Sequence, residues 1–172
     1  LLMNCKLRTV LLLFCAVTAP AAASNAQTIV GKARIVDGNA IEINRQQIRL
    51  FGISAPAPSQ TCTAKGVQWA CGQNATFALS AIVERQWVHC RQKSSHGNGL
   101  VIAVCRLAGD NGPDIGAAMV RQGWALAYPR QSSVYAVEEN AARKAKSGLW
   151  VGEFVAPWEW RRRDRPKSGA AE

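Results

Sequence analysis

Side chains that can contact an anion are the first chemical feature of this sequence. Arg49 lies in residues 48–56, a stretch that alternates apolar residues with an arginine and then stops at a proline. An outward arginine on a strand is a common structural residue, and its guanidinium group also suits contact with a phosphate or sulfate group. A second basic group, mixed with two tryptophans, lies near the end of the chain: Trp158, Trp160, Arg161, Arg162, Arg163, Arg165 and Lys167.

The C-terminal tail, residues 158–172, has two interpretations. Aromatic and basic residues together suit stacking on bases and contact with phosphates along a single-stranded nucleic acid. Alternatively, Trp158 belongs to the core and the arginines form a solvated end of the chain. We predict the core position for Trp158, whereas the sequence leaves both interpretations open for the arginines, which stay candidates for polyanion binding.

Candidates for metal binding or proton transfer are few. Asp37 is a weak metal candidate, but an aspartate directly before a glycine, here Gly38, is more often a turn residue. His96 could be a general base with His89 as its helper. A histidine in an exposed glycine-rich turn is usually structural, and His89 is next to a cysteine on a predicted strand. The structural interpretation is therefore favoured for all three side chains.

The middle of the chain contains no acidic residue. Between Glu42 and Glu84 there is neither Asp nor Glu. Calcium prefers several oxygen ligands, including ionised carboxylates. The loop that follows Ile53 therefore cannot supply a carboxylate to a metal, whichever residues are aligned there.

The charge of the chain favours an anionic partner. The formal net charge is +10, and removing residues 1–26 with Lys6 and Arg8 leaves +8. Such a charge favours nucleic acid, acidic polysaccharide or an anionic membrane surface. The alternative is that the cations only keep an exported protein soluble, and the sequence does not decide between the two.

Residues 1–26 have the pattern of a secretory signal peptide. A short basic start is followed by an apolar run and by small residues before Gln27. The apolar run is too short to span a bilayer. We predict an exported protein, periplasmic or secreted, that is monomeric and has no integral membrane segment in its mature form. Its length fits one domain, residues 27–157, followed by the basic tail 158–172.

Four cysteines remain after residue 26, and an even number in an exported protein predicts disulfides. Cys90 and Cys105 are equidistant from the turn around residues 97–98, so the register of a hairpin places them opposite each other. This favours a bond between them and leaves Cys62 to pair with Cys71.

Short strands and amphipathic helices alternate along the chain. Period-two patterns predict strands over 28–36, 40–44 and 48–54, joined as a meander, and a hairpin of strands 87–91 and 100–107. Helical spacing and helix punctuation predict helices over about 72–84, 114–122 and 133–147. Residues 149–158 are expected to fold back on the domain. Five short strands with three helices match an α+β protein, a β-barrel of the OB type.

Three stretches of the sequence resemble the staphylococcal nuclease (thermonuclease) family: residues 36–38, 48–56 and 119–125. The resemblance covers most of residues 30–150. It implies the five-stranded OB-fold barrel of that family, independently of the strand pattern. It also implies a location for the family's calcium-dependent phosphodiesterase site.

Most of that site is replaced in this chain. The family has carboxylates at the positions of Asn39, Ser54 and Ala57, and arginines at the positions of Arg49 and Asn98. The resemblance therefore implies that Arg49 alone is retained. Asn39 and Ser54 occupy lost metal-ligand positions, Ala57 the position of the lost base, and Asn98 that of the lost second arginine. No cofactor is expected, and calcium is expected only if nuclease activity persists.

These losses predict an inactive nuclease-like protein. Removing a positioned base costs about 10²- to 10⁴-fold in rate, and removing one electrostatic donor costs about 10²- to 10³-fold. We predict that the protein binds a polyanion, nucleic acid or acidic polysaccharide, as an accessory factor or scaffold. One alternative is a residual or altered calcium-dependent nuclease acting on DNA or RNA. Another, resting only on resemblance to exported relatives, is an accessory role in acidic exopolysaccharide (succinoglycan) biosynthesis.

Overall fold

A computed structural model describes residues 27–97 and 99–164. The predicted signal peptide, Asn98 and the tail from residue 165 lie outside the described residues. The strands within the described residues are β1 (Thr28–Lys32), β2 (Arg34–Asp37), β3 (Ala40–Ile43), β4 (Gln46–Leu50), β5 (Ile53–Ser54), β6 (Cys62–Ala64), β7 (Val67–Trp69), β8 (Trp87–Ser95), β9 (Val101–Leu107) and β10 (Leu126–Ala127).

Six strands form one mixed sheet in the order β1-β8-β9-β4-β3-β2. β2, β3 and β4 form the predicted antiparallel meander, and β8 and β9 form the predicted hairpin. Parallel pairing of β4 with β9 joins these two units. The sheet curls into a half-barrel, so the predicted OB-type fold is confirmed. Its core includes the fully buried side chains of Ile41, Ile43, Ile48 and Val88.

Four α-helices in the described residues accompany the sheet: α1 (Cys71–Val83), α2 (Ile115–Arg121), α3 (Ala136–Ala145) and α4 (Pro157–Arg163). A short 3-10 helix covers Gly148–Val151. The first three α-helices match the predicted helices, with ends that differ by up to three residues. Ala75 and Leu79 of α1 are completely buried, as the helical spacing predicts, and so is Met119 of α2. Asp114 begins α2 because its carboxylate accepts a hydrogen bond from the Ala117 amide at 3.0 Å.

The structure refines the predicted strands. The stretch predicted as one strand, 28–36, is two strands, because β1 pairs with β8 whereas β2 pairs with β3. β8 continues to Ser95, beyond the predicted end at residue 91. The short hairpin β6–β7 and the helix α4 were not predicted, since each is too short to show a clear period.

The C-terminal segment folds back on the domain, as predicted. Leu149 is completely buried in a second apolar cluster with Cys62, Cys71 and Leu126, and partly buried aromatic side chains pack against it: Trp69, Trp150, Phe154 and Trp158. Trp158, for which a core position was predicted, is half-buried and packs against this cluster from its edge. This packing fixes where α4 begins relative to the sheet.

Two disulfides join Cys62 to Cys71 and Cys90 to Cys105. This is the predicted pairing, and Cys90 lies directly opposite Cys105 in the β8–β9 register. Disulfides persist in oxidising compartments, so they indicate an extracellular or periplasmic environment. Within the described part of the chain, no helix has the length and apolar character needed to cross a membrane.

Gly72, in the first turn of α1, packs against the loop of residues 55–60. A Cβ atom at this position would lie 1.7 Å from the carbonyl oxygen of Ala57, and the Gly72 amide donates to the Gln60 carbonyl at 3.1 Å. We expect Gly72→Ala to lower the free energy of unfolding by about 1–3 kcal/mol, because the loop must move to admit the methyl group. Urea denaturation measures this change.

Gly97→Ala is the matched control for this prediction. A Cβ atom at Gly97 would meet no heavy atom within 4 Å, and the backbone there does not have a positive φ. The control should change the free energy of unfolding by less than about 0.5 kcal/mol. Equal losses for both variants would mean that the loop does not pack as described.

Candidate functional site

The candidate site is built around β5, which is held against the segment of residues 126–131. Ser54 of β5 lies opposite Leu126 of β10 in an antiparallel pair. The Tyr128 amide donates to the Gly52 carbonyl at 2.8 Å, and the Gly52 amide donates to Oε1 of Gln131 at 2.9 Å. These bonds place Tyr128 and its neighbours beside the positions at which the sequence analysis located the lost site.

Arg49 lies on the exposed side of β4. Its neighbours Ile48 and Leu50 are buried, so the alternation of the strand directs Arg49 away from the core. It lies opposite Ala40 of β3 and Ile102 of β9. Arg49 therefore projects from the middle of the sheet, and its side chain lines a cleft.

That cleft has a volume of about 420 Å³ and is rich in cations. We call it the cationic cleft. Its charged or titratable lining residues are Arg49, Arg130, Arg161, Arg162 and His96, and its aromatic lining residues are Tyr128 and Trp158. None of the described residues that line it carries a carboxylate. The lining therefore presents positive charge and two aromatic side chains, a combination that suits an anion with an attached planar or apolar group.

Arg161 reaches the cleft from α4. Its Nη1 donates to the carbonyl oxygen of Ala55 at 3.0 Å, and its Nη2 donates to Oγ of Ser54. The position of the helix is supported by ring contact between Trp158 and Tyr128, whose centroids are 5.6 Å apart. A guanidinium group from the end of the described chain is thus held against the end of β5.

The electrostatic environment of Arg161 is unusual for an arginine. Burial, and next the positive charge of Arg49, hold the pKa of Arg161 below its ordinary value. Asp37 and Tyr128 act on this pKa in the opposite direction. Because an arginine titrates far above neutral pH, Arg161 remains charged. Its charge and that of Arg49, which lines the same cleft, repel each other.

The two positions that correspond to lost metal ligands are engaged in protein hydrogen bonds. Asn39 is buried, and its Oδ1 accepts from the Ala55 amide at 3.2 Å. Asp37 Oδ1 accepts from the Asn39 amide at 2.7 Å, which is the turn role expected for an aspartate before glycine. Ser54 Oγ accepts from Arg161. Asn39 Oδ1, Asp37 Oδ1 and Ser54 Oγ therefore each accept a hydrogen bond from an N–H group of the protein.

These residues do not fit calcium. No three His, Cys, Asp or Glu side chains in residues 27–97 and 99–164 form a group that could hold a metal ion. Asn39 and Ser54 supply neutral oxygens, and a charged guanidinium group already contacts Ser54. The methyl group of Ala57 cannot take a proton from water. The N–H donors and fixed positive charge that are present are groups that can contact an anion.

The structure separates some residues that the sequence analysis considered together. His96 lines the cationic cleft, whereas His89 lines another cavity, with its Nδ1 3.8 Å from a carboxylate oxygen of Asp110. Arg163 is exposed and does not line the cleft. Arg165, like Asn98, lies outside the described residues.

Sequence reasoning missed Tyr128 and Arg130. Both line the cleft, yet β10, the strand before them, is only two residues long and shows no period. The one signal available was the order aromatic, proline, arginine two residues beyond the stretch 119–125, which carries part of the resemblance. That signal places the residues near the site but does not show that their side chains face it.

Comparison with known proteins identifies the family. The family model described as staphylococcal nuclease homologue matches residues 47–152, more than half of the chain. The chain belongs to this family. Among its relatives is the succinoglycan biosynthesis protein ExoI of Rhizobium meliloti (strain 1021), which is 26% identical over 131 residues, covering 74% of this chain and 68% of the relative. Protein ParB of Escherichia coli is 32% identical over 144 residues, covering 75% of this chain and 76% of ParB.

Membership in the staphylococcal nuclease homologue family confirms the resemblance found in the sequence. The match ends at residue 152, so it includes β4, β5 and β10 but not α4. The helix that supplies Trp158, Arg161 and Arg162 to the cleft therefore lies beyond the matched region. The cleft combines residues of the family domain with residues of the segment that follows it.

Proposed function

We propose that this protein binds a polyanion in the cationic cleft and does not hydrolyse it. The observation that carries the proposal is the composition of the cleft: Arg49, Arg130, Arg161 and Arg162 line it, and no carboxylate is present among its described lining residues. Phosphodiester hydrolysis in this family would need a hard cation and a base, and the residues at those positions supply neither. Binding needs only the cations and the aromatic faces.

Nucleic acid is the first ligand class for this cleft. Membership in the staphylococcal nuclease homologue family supports it, and so do the rings of Tyr128 and Trp158 beside the cations. Bases can stack on such rings while phosphates contact the arginines. In this proposal the protein is an exported, monomeric accessory factor, with residues 1–26 as its signal peptide.

An acidic polysaccharide is the second ligand class. The observation in its favour is the similarity to a protein named for succinoglycan biosynthesis. An acidic glycan would use the same arginines, and a sugar ring can pack on an aromatic side chain. The two ligand classes differ in whether binding depends on the bases of the polymer.

The proposal predicts binding in EDTA that weakens steeply with salt. Fluorescence anisotropy with labelled oligothymidylate, its RNA counterpart and a labelled acidic polysaccharide measures the affinities. Each phosphate that is neutralised on a single strand contributes about −0.7 to the slope of log K against log salt concentration, so the four arginines of the cleft predict a slope of about −3. Arg130→Gln should weaken binding and make this slope shallower by about 0.7.

Lys144→Gln is the charge-matched control, because Lys144 lies on α3 and does not line the cleft. It should leave both affinity and slope nearly unchanged. No binding to any of the polymers at low salt would refute the proposed function. Calcium-dependent cleavage by the purified protein, abolished by Arg49→Ala, would instead establish the nuclease alternative.

A further inference from the structure

The place of Arg161 suggests a role that goes beyond a general basic surface. Its two terminal guanidinium nitrogens, Nη2 and Nη1, donate hydrogen bonds to Ser54 Oγ and to the Ala55 carbonyl oxygen, respectively. Ser54 occupies a position at which the family has a carboxylate ligand for its cation. A permanent organic cation therefore lies against the oxygens that a metal ion would need.

Arg161 is held in this place by the rest of α4. Pro157 begins the helix and is buried, Trp158 contacts Tyr128, and Trp158 also packs against the apolar cluster around Leu149. The Arg161 side chain is partly buried, so the protein has removed some of its water. A charge fixed in this way needs little reorganisation when an anion arrives.

Arg49 provides the second half of the arrangement. Its positive charge acts on Arg161, and both side chains line the same cleft. A guanidinium group has five N–H donors, and the bonds to Ser54 and Ala55 use only two of those of Arg161. The Asp37 carboxylate acts on Arg161 from outside the cleft lining, and both guanidinium groups have N–H donors that an anion in the cleft can accept from.

We propose that Arg161 takes the place of the metal cation, and that Arg161 and Arg49 together bind one tetrahedral phosphate or sulfate group of the polymer without any metal. This inference rests on the proposed function, because it names the chemical group that the same cleft binds. It differs from the family arrangement in that the positive charge comes from α4, outside the matched region. A carboxylate polymer lacks the tetrahedral group and binds more weakly.

The test compares Arg161→Gln with Arg163→Gln in EDTA. Both variants remove one positive charge from the same helix, but Arg163 is exposed and does not line the cleft. The probes are oligothymidylate, for phosphate; heparin, for sulfate; and polygalacturonate, which carries only carboxylates. We expect Arg161→Gln to weaken binding of the phosphate or the sulfate polymer by about 10- to 100-fold, the loss typical of hydrogen bonds to a charged group. Arg163→Gln should change it by less than about threefold.

Further measurements make the outcome decisive. Arg161→Lys keeps the charge but not the planar fork, so its affinity should lie between those of the parent and Arg161→Gln. This variant also serves if Arg161→Gln does not fold. The inference would be overturned, but not the proposed function, if Arg161→Gln and Arg163→Gln bind with equal affinity. Tighter binding by Arg161→Gln would have the same consequence, because it would mean that α4 obstructs the cleft. Calcium-enhanced binding by the parent would overturn the inference as well, whereas failure of the parent to bind any probe would refute the proposed function itself.

Discussion

A variant that restores the four replaced groups and removes the competing guanidinium is expected to cleave DNA in calcium. It carries Asn39→Asp, Ser54→Asp, Ala57→Glu, Asn98→Arg and Arg161→Ala. The restored carboxylates would supply the charged oxygens that calcium prefers, and the glutamate would supply a base. Nicking of supercoiled plasmid, with and without EDTA, measures the gain, which should be at least about 100-fold over the parent.

The variant that keeps Arg161 is the informative control. The replaced positions alone suggest that the four substitutions at residues 39, 54, 57 and 98 are sufficient for cleavage in calcium. The structure predicts that they are not, because Arg161 contacts Ser54 and would form an ion pair with the carboxylate introduced there. The four-residue variant should therefore remain close to background. If it cleaves as fast as the five-residue variant, the guanidinium group does not compete with calcium.

Removal of the Cys90–Cys105 disulfide is expected to have the largest effect on stability. The bond closes a loop with a sequence separation of 15, and both cysteines are buried in the main core between β8 and β9. Cys90→Ala with Cys105→Ala should lower the free energy of unfolding by about 3 kcal/mol through the entropy of the unfolded chain, with a further loss from the packing of the removed sulfur atoms. Urea denaturation measures the total change.

The second disulfide offers a comparison within the same protein. Cys62 and Cys71 are separated by 9 residues, so loop closure alone predicts a loss of about 2.6 kcal/mol for the double alanine variant. Both pairs are buried, Cys62 and Cys71 in the second apolar cluster and Cys90 and Cys105 in the main core. The longer loop therefore makes the loss larger for the Cys90–Cys105 pair, by about 0.4 kcal/mol. A smaller loss for the Cys90–Cys105 pair than for the Cys62–Cys71 pair would contradict this account.

Under the proposed function, the family fold keeps a binding surface although other residues stand at the positions where the resemblance implies catalytic groups. Asn39 and Ser54 remain buried and hydrogen-bonded, so these substitutions leave no unsatisfied group that would destabilise the sheet. Arg49 lies on β4 between β3 and β9, and the Leu50 amide beside it donates to the Asn39 carbonyl in the turn after β2 at 2.9 Å.

Much of the fold was predictable because its determinants are local or symmetric about a turn. The alternation of Ile41 and Ile43 with polar residues predicts strand β3 and its buried face, since the side-chain period of a strand is two. The equal distance of Cys90 and Cys105 from one turn predicts their register. The division between β1 and β2 was not predictable, because it depends on which neighbouring strand each half pairs with.

The sequence by itself determined the family, the OB-type fold, the disulfide pairing and the absence of acidic residues between Glu42 and Glu84. Only the tertiary structure decided what occupies the place of the missing groups. Arg161 and Ser54 are 107 residues apart, and no period or local motif connects them. They meet because Trp158 packs on Tyr128 and thereby directs α4 towards β5. The hydrophobic effect is not directional, so a sequence pattern does not show which distant apolar side chains pack together. For this reason the sequence left open whether the arginines of α4 form a solvated end or contact the site.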